Sequence, residues 1–182
     1  IRDGVNGVDG LYGAQRLAVS PDGKHVYVPG LSDSGLAVFE RNEATGRLTF
    51  LEVHKDGVNS VDGLNGADSV TLSADGSHVY VTALYDDAVA VFSRNADTGR
   101  LTYLQAFKDG INGVDGLNAA QSATLSPDGT YLYVASQLDD TDPQKAVLLK
   151  YKTDFEAEYP GKTADTFGGH AYDALNMVVE AL

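Results

Sequence analysis

A repeat of 53 residues constrains the fold of this chain more than any other feature of its sequence. The nine residues 3–11 return as 56–64 and again as 109–117, so each copy begins 53 residues after the one before it. Residues 3–55 and 56–108 are identical at 31 of 53 positions without a gap. Self-similarity at a fixed period of this length is typical of structural units that stack on one another and bury their apolar faces against their neighbours.

Each copy alternates apolar and polar residues, as half-buried strands do. In the second copy, four such segments occupy 69–73, 78–82, 88–93 and 100–105. Asp-Gly and Thr-Gly pairs between them suit tight turns, because glycine accepts a positive φ. Four short antiparallel strands per repeat predict one blade of a β-propeller. We therefore predict an all-β fold: a partial β-propeller of four-stranded antiparallel blades, to which a short C-terminal helical segment is attached.

Three equivalent segments of the repeat carry a family resemblance. They read SPDGKHVYV at 20–28, SADGSHVYV at 73–81 and SPDGTYLYV at 126–134. Together with LAVFERNEATGRL at 36–48, they resemble the repeats of the seven-bladed lactonase-like and YVTN-type propellers. The resemblance covers about residues 1–136, a domain of roughly two and a half blades in which 14–55 and 67–108 are complete. It implies the fold more strongly than an activity, because this superfamily hosts many functions.

Residues 137–182 form a second region of different character. The strand that ends at Val134 is the last one in clear repeat register. Beyond it, 138–145 and 166–175 resemble the late region of periplasmic branched-chain amino-acid binding proteins, although the matching fragment contains no complete ligand cleft. A propeller joined to part of a binding protein is expected of a chimeric or recombined gene. The chain starts at Ile1, so we also expect it to be processed or to belong to a longer protein.

The second region is expected to be helical. A good N-cap at Asp142, followed by proline, predicts a helix at 143–158, and a third blade strand at 146–152 is the alternative. An amphipathic helix is predicted at 170–182, where apolar residues recur at helical spacing on one face. That face comprises Ala171, Leu175, Val178 and Leu182.

The charge of the chain excludes one class of partner. Its net charge of −13 repels phosphate backbones, so nucleic-acid binding is not expected. No apolar run approaches the roughly 20 residues of a membrane span. The absence of cysteine does not determine the compartment, and the resemblances lead us to expect a periplasmic or extracellular protein.

The inter-blade loops, with the pattern Asp-Gly-x-Asn-x-x-Asp-Gly-Leu, contain the candidate binding residues. Carboxylate and amide oxygens suit Ca²⁺, which takes six to eight hard oxygen ligands, but the spacing is not that of an EF-hand. Alternatively, these residues form Asx-turns, and their glycines supply left-handed turns. Both interpretations stay open from the sequence. The candidate ligands are Asp3, Asn6, Asp9, Asp56, Asn59, Asp62, Asp109, Asn112 and Asp115.

Catalytic residues are not predicted. Sugar-lactone hydrolases of the resembled superfamily tend to carry an Arg-His pair just before the Ser-Pro-Asp-Gly turn, where this chain has Arg16-Leu17, Ser69-Val70 and Ser122-Ala123. Among the histidines, His25 and His78 are replaced by tyrosine in the third copy and His54 by phenylalanine in the second, which favours packing roles. Serines at the turn starts are expected to cap backbone groups. These serines are Ser20, Ser73 and Ser126.

The function predicted from the sequence is therefore a non-catalytic propeller module of a secreted or cell-surface protein. It would bind a protein, a carbohydrate or a cation through its acidic loops. One alternative is a lactonase-like hydrolase whose active site lies in blades absent from this chain, and another is a purely structural scaffold. Propellers close with roughly 4–8 blades, so we expect further blades from another chain or from a longer parent.

Overall fold

The computed structural model of the chain describes residues 1–137 and the backbone of one later strand, Met177–Glu180. All regular secondary structure in this part of the chain is β, which confirms the predicted fold class. The described residues include no helix long and apolar enough to span a membrane.

The first two sheets are complete blades, as predicted. Blade 1 contains β1 (Ala18–Val19), β2 (His25–Gly30), β3 (Gly35–Arg41) and β4 (Leu48–Lys55). Blade 2 contains β5 (Ala67–Leu72), β6 (His78–Ala83), β7 (Ala88–Arg94) and β8 (Leu101–Lys108). In both, the four strands are antiparallel and paired in sequence order. The third and fourth strands of each blade shift register at equivalent points, after Val38 and after Val91.

The third sheet differs from the predicted tail. It contains β9 (Ser122–Leu125), β10 (Tyr131–Ala135) and β11 (Met177–Glu180), in the order β11-β10-β9. Strand β11 runs antiparallel to β10, from Met177 opposite Val134 to Glu180 opposite Tyr131. The prediction of a helix across 170–182 is therefore wrong for 177–180.

The physical reason for this difference is a free strand edge. Without a partner, the outer edge of β10 would leave backbone N–H and C=O groups unpaired, and an extended segment satisfies them. The Val-Val pair inside β11 is β-branched, which favours a strand over a helix once such an edge is available. The helix predicted at 143–158, the alternative strand at 146–152 and the rest of 170–182 lie outside the described residues.

The blades pack face to face through an interface that recurs with the repeat. On blade 1, Tyr27, Leu36 and Val38 are fully buried in a cluster with residues of blade 2 that include Val81 and Phe92. Their equivalents on blade 2, 53 residues later, are also buried and pack against the third sheet. These equivalents are Tyr80, Val89 and Val91, and their contacts include Leu132 and Val134. The strands β1, β5 and β9 form the inner edge of the arc, where β5 contacts both of the others.

A buried arginine joins the two complete blades. The Arg94 side chain, at the end of β7, is only 1% exposed. Its guanidinium donates to the Tyr27 hydroxyl at 2.7 Å and to Asp22 Oδ2 at 2.7 Å, and it lies 2.9 Å from His25 Nδ1. Within its own blade it donates to the Gly76 carbonyl at 3.1 Å. Because blade 1 provides three of these four groups, the arginine fixes the position of one blade on the other.

Candidate functional site

The inter-blade loops bring the predicted aspartates together in the first two copies. Carboxylate oxygens of Asp3, Asp9 and Asp33 all lie within 4.8 Å of one another. The corresponding group in the second copy is Asp56, Asp62 and Asp86. The loop segments 3–11, 56–64 and 109–117 together form the loop face.

Two members of these clusters are not among the predicted ligands. Asp33 and Asp86 come from the turns that join the second and third strands of their blades. They are 53 residues apart in the sequence. Their recurrence at the same repeat position was a usable signal, although nothing in the local sequence connects either residue to the loops.

Each cluster includes a lysine. Lys55 Nζ lies 2.8 Å from Asp9 Oδ1 and 3.7 Å from Asp33 Oδ1. Lys108 Nζ lies 2.6 Å from Asp62 Oδ1 and 3.5 Å from Asp86 Oδ1. The hydrogen bond between Lys55 and Asp9 lowers the pKa of the carboxyl and raises the pKa of the ammonium. A Ca²⁺ ion at either cluster would have to compete with an ammonium group already in contact with two of the three carboxylates.

The same aspartates also hold the loop backbone. Asp3 Oδ1 accepts a hydrogen bond from the Leu11 amide at 2.9 Å, and Asp56 Oδ1 accepts one from Leu64 at 3.0 Å. In addition, Asp9 accepts from the amide that follows it, at 2.8 Å. The asparagines occupy left-handed backbone positions, with φ between 52° and 55°, and are exposed. They are Asn6, Asn59 and Asn112. These contacts agree with the alternative interpretation, in which the loop residues form Asx-turns and left-handed turns.

The third loop copy is described, but the turn aspartate that would complete its cluster is not. Asp109 Oδ1 accepts from the Leu117 amide at 2.7 Å, so this loop is held as the first two are. Asp115 belongs to no carboxylate cluster among the described residues. The residue 53 positions after Asp86 is Asp139, which lies outside them.

A groove recurs beside the loop face, together with an exposed aliphatic side chain. Val5, Val58 and Ile111 occupy the same place in the three loops and are 47%, 50% and 54% exposed. Val5 lines a cavity of about 500 Å³ against the fourth strand of blade 1. Val58 lines one of about 330 Å³ against the fourth strand of blade 2. Each groove also contains a loop asparagine, so an apolar centre lies next to polar groups.

At the inner edge of the arc, one arginine connects three blades. Arg16 pairs with Asp68 on blade 2 and donates to the Gln121 carbonyl of the third sheet at 3.1 Å. Its side chain is 47% exposed, whereas that of Asp68 is 8% exposed. The equivalents of Arg16 in the other copies are Ser69 and Ser122, as the sequence predicts.

The histidines and turn serines have structural partners. His25 is buried, and burial and the nearby Arg94 charge lower its pKa. His54 Nε2 lies 3.1 Å from Glu52, and its ring packs edge-on against Phe92 at 5.2 Å.

The serine hydroxyls bond within their own turns. Ser73 Oγ donates to Asp75 at 2.6 Å and accepts from the His78 amide at 2.9 Å. Ser20 and Ser126 form the same pair of bonds. These hydroxyls cap backbone, and none of them is bonded to a histidine ring that could act as its base.

The sequence matches a known family over most of its length. Residues 7–144, about three quarters of the chain, match the sequence profile described as lactonase, 7-bladed beta-propeller. An uncharacterized protein of Lactococcus lactis subsp. cremoris is 29% identical over 80 residues, which are 44% of this chain and 24% of that protein.

Solved propellers show the same fold. A protein from Lactobacillus plantarum is 29% identical, with a TM-score of 0.57 over 72% of this chain and 36% of its own. A protein from Bacteroides fragilis, provisionally assigned as a 6-phosphogluconolactonase, is 26% identical, with a TM-score of 0.56 over 71% and 33%. The periplasmic gluconolactonase of Pseudomonas aeruginosa is 23% identical, with a TM-score of 0.59 over 96% and 41%. This chain therefore spans well under half the length of these proteins.

Proposed function

Because the chain belongs to the lactonase family of seven-bladed β-propellers, we propose that its blades act as a non-catalytic binding module within a longer propeller. The module binds a protein partner through the loop face. Further blades, from another chain or from a longer parent, complete the ring.

The recurring groove is the observation that carries this proposal. An aliphatic side chain is about half exposed in three successive loops, and in the first two it lines a groove beside a loop asparagine, which combines an apolar contact with a hydrogen-bonding group. Protein interfaces have this composition, with an apolar centre inside a polar rim. Single exposed apolar residues are ordinary on protein surfaces, whereas this one recurs at the same loop position in every copy.

The loop backbone supports a binding role as well. Asp3, Asp56 and Asp109 each accept a hydrogen bond from a main-chain amide, and these bonds hold each loop in one conformation. A partner that binds preorganised loops loses less conformational entropy in the interface. In this proposal the aspartate–lysine clusters shape the binding surface, and a Ca²⁺ role of the loops is the alternative.

The binding role can be tested by changing the three aliphatic residues to serine together. The variant Val5→Ser, Val58→Ser, Ile111→Ser keeps the loop aspartates and should melt within a few degrees of the wild type. Envelope proteins of the host are passed over both forms, and each retained protein is then purified and titrated. A protein that binds the wild type saturably and the variant at least about tenfold more weakly supports the proposal, since about 1.4 kcal/mol is lost. Equal binding to both forms contradicts it, and saturable binding of a glycan alone would reassign the partner to carbohydrate.

The non-catalytic part of the proposal is supported by the inner edge of the arc. The position before each turn holds Arg16, Ser69 and Ser122 in the three copies, and the arginine is bound to Asp68 and to a main-chain carbonyl. Hydrolysis of a lactone needs an activated water or nucleophile. The described part of the chain offers no histidine at this edge.

A lactonase-like hydrolase is the second candidate, and family membership together with the half-exposed Arg16 favours it. Proton release from glucono-δ-lactone in a pH-stat separates the two. We expect the chain to match buffer alone. Turnover above buffer that disappears in Arg16→Ala would establish the hydrolase and remove the non-catalytic proposal. The proposal also includes a periplasmic or extracellular location. Fractionation of cells that express the parent protein tests this location.

A further inference from the structure

A cavity of about 270 Å³ lies on the side of the blades opposite to the loop face. It is formed at the turn between β5 and β6 and at the corresponding turn of the third sheet. The groups that matter are Asp75, His78 and Tyr80 from blade 2, and Gly129 with its neighbour Asp128 from the third sheet. This site is separate from the inner edge of the arc and does not depend on whether the propeller hydrolyses lactones.

The repeat identifies the chemistry of the cavity. Subtracting 53 from Asp75, His78 and Tyr80 gives Asp22, His25 and Tyr27, the three residues of blade 1 that hold the Arg94 guanidinium. The fourth contact of Arg94 is the Gly76 carbonyl, and its equivalent is the Gly129 carbonyl. The cavity therefore has the same donor and acceptor types, on the same backbone framework, as a site that binds a guanidinium group between blades 1 and 2.

The polar groups of the cavity are in place. The Tyr80 ring is 3% exposed and held in the apolar cluster between blade 2 and the third sheet. Asp75 is held by its turn: Oδ1 accepts from Ser73 Oγ at 2.6 Å and from the Ser77 amide at 2.9 Å. These bonds lower the pKa of the Asp75 carboxyl to about 2, so it is ionised at neutral pH. One difference from the first site is that Ser77 Oγ lies 2.8 Å from His78 Nδ1, the atom that faces arginine in His25.

The chain has no arginine of its own for this position. The last arginine in the sequence is Arg100, so β11, which lies beside β10 as β7 lies beside β6, cannot supply one. No arginine among the described residues contacts Asp75, whereas Asp22 is paired with Arg94. A guanidinium that binds here must come from outside the third repeat.

We propose that this cavity is a binding site for the guanidinium group of an arginine side chain that belongs to another polypeptide. The carboxylate of Asp75, the Tyr80 hydroxyl and the Gly129 carbonyl are its acceptors, in the arrangement that Arg94 uses one blade earlier. A planar guanidinium can address all three at once, which a lysine ammonium cannot do in the same geometry.

Titration with a blocked arginine tests the site directly. Backbone amide shifts of the ¹⁵N-labelled chain are followed as N-acetyl-arginine methylamide is added, with N-acetyl-lysine methylamide as the matched control. We expect saturable shifts at Ser77, His78 and Gly129, with a Kd on the order of 1–10 mM for one unlinked side chain. The lysine probe should bind at least about fivefold more weakly.

Two variants of the site and one control complete the design. Asp75→Asn keeps an oxygen for the Ser77 amide but removes the charge, and Tyr80→Phe removes only the hydroxyl. Each should weaken the arginine probe at least about threefold. As the control, Arg94→Ala opens the first site, and the same probe should raise the melting temperature of this variant by more than it raises that of the wild type. Absence of saturable shifts at Ser77 and His78 in the wild type, at concentrations that rescue Arg94→Ala, overturns the proposal.

Discussion

Replacing Arg94 with alanine tests how the two complete blades are held together. Its matched control is Arg41→Ala, because Arg41 is the same repeat position on blade 1. Arg41 donates to the Gly23 carbonyl at 3.0 Å, as Arg94 does to Gly76, but among the described residues it has no preceding blade to bind. Comparing the two variants therefore separates the effect of the interblade contacts of an arginine from the effect of its contacts within the blade.

The magnitude follows from the environment of Arg94. Its side chain is 1% exposed, and its removal leaves the Tyr27 hydroxyl, the Gly76 carbonyl and Asp22 Oδ2 without the donor that Arg94 provides. Removing one partner of a buried charged pair costs about 3–5 kcal/mol. Asp22 is 31% exposed and recovers some hydration, so we expect about 3 kcal/mol for Arg94→Ala. Arg41 is half-buried with one neutral acceptor, so its loss should cost about 0.5–1 kcal/mol.

Urea unfolding followed by far-ultraviolet circular dichroism and by tyrosine fluorescence measures both variants. The ten tyrosines report on the chain because it has no tryptophan. Coincident transitions for the two probes establish that a single free energy of unfolding applies. Equal losses for Arg94→Ala and Arg41→Ala, within about 0.5 kcal/mol, would refute the argument that the interblade guanidinium contacts stabilise the pair of blades.

Three further predictions concern pH, cations and backbone strain. Burial and the Arg94 charge lower the pKa of His25 in the folded protein. Its stabilising contribution is therefore complete above the ordinary histidine pKa of about 6.5. The contribution declines as the pH falls from that value toward the folded pKa. His25→Asn should therefore reduce the slope of unfolding free energy between pH 7 and 5, and an unchanged slope would assign it to other groups. Added Ca²⁺ should leave the wild-type melting temperature unchanged. It should raise the melting temperature of the double variant Lys55→Met/Lys108→Met, whose carboxylate clusters have lost their ammonium groups. A larger rise in the wild type than in the variant would favour the Ca²⁺ alternative. Gly57 has φ +70° and open space around it, so Gly57→Ala should lower the free energy of unfolding by about 1 kcal/mol. Gly63 has φ +81°, and an added Cβ would lie 2.6 Å from Ala106 Cβ. Gly63→Ala should therefore lower the free energy of unfolding by about 2–4 kcal/mol in the same urea assay.

The complete blades were predictable because one period carries all of their local information. Every strand of blade 1, its register shift and its turn glycines Gly23 and Gly46 have counterparts 53 residues later, so each of these assignments is made twice and both must agree. Alternation of period two then separates strands from turns. Strand β11 escaped this reasoning, because its structure depends on the free edge of β10 more than 40 residues earlier. Helical spacing within 170–182 could not reveal that partner.

The candidate site was predictable only in part, for a related reason. The two aspartates of each loop are six residues apart in the sequence and could be grouped by inspection. Lys55 and Asp33 reach the first cluster from a strand end and from a distant turn, so their contribution depends on how the blade folds. Charged residues that recur at the repeat offset, such as Lys55 and Lys108, would have been the appropriate signal.

The arginine network shows how a repeat can encode its own assembly. One face of a blade presents the acceptors at Asp22 and Tyr27, and the next blade inserts the arginine at the end of its third strand. Each complete copy carries both halves, so any two copies in sequence can join in the same way, and stability adds from one interface to the next. Blade 2 carries the same acceptors as Asp75 and Tyr80, but no arginine follows Arg100 in the sequence. The repeated interface is thus complete once between the described blades, and its second occurrence depends on apolar contacts such as those of Tyr80 and Leu132.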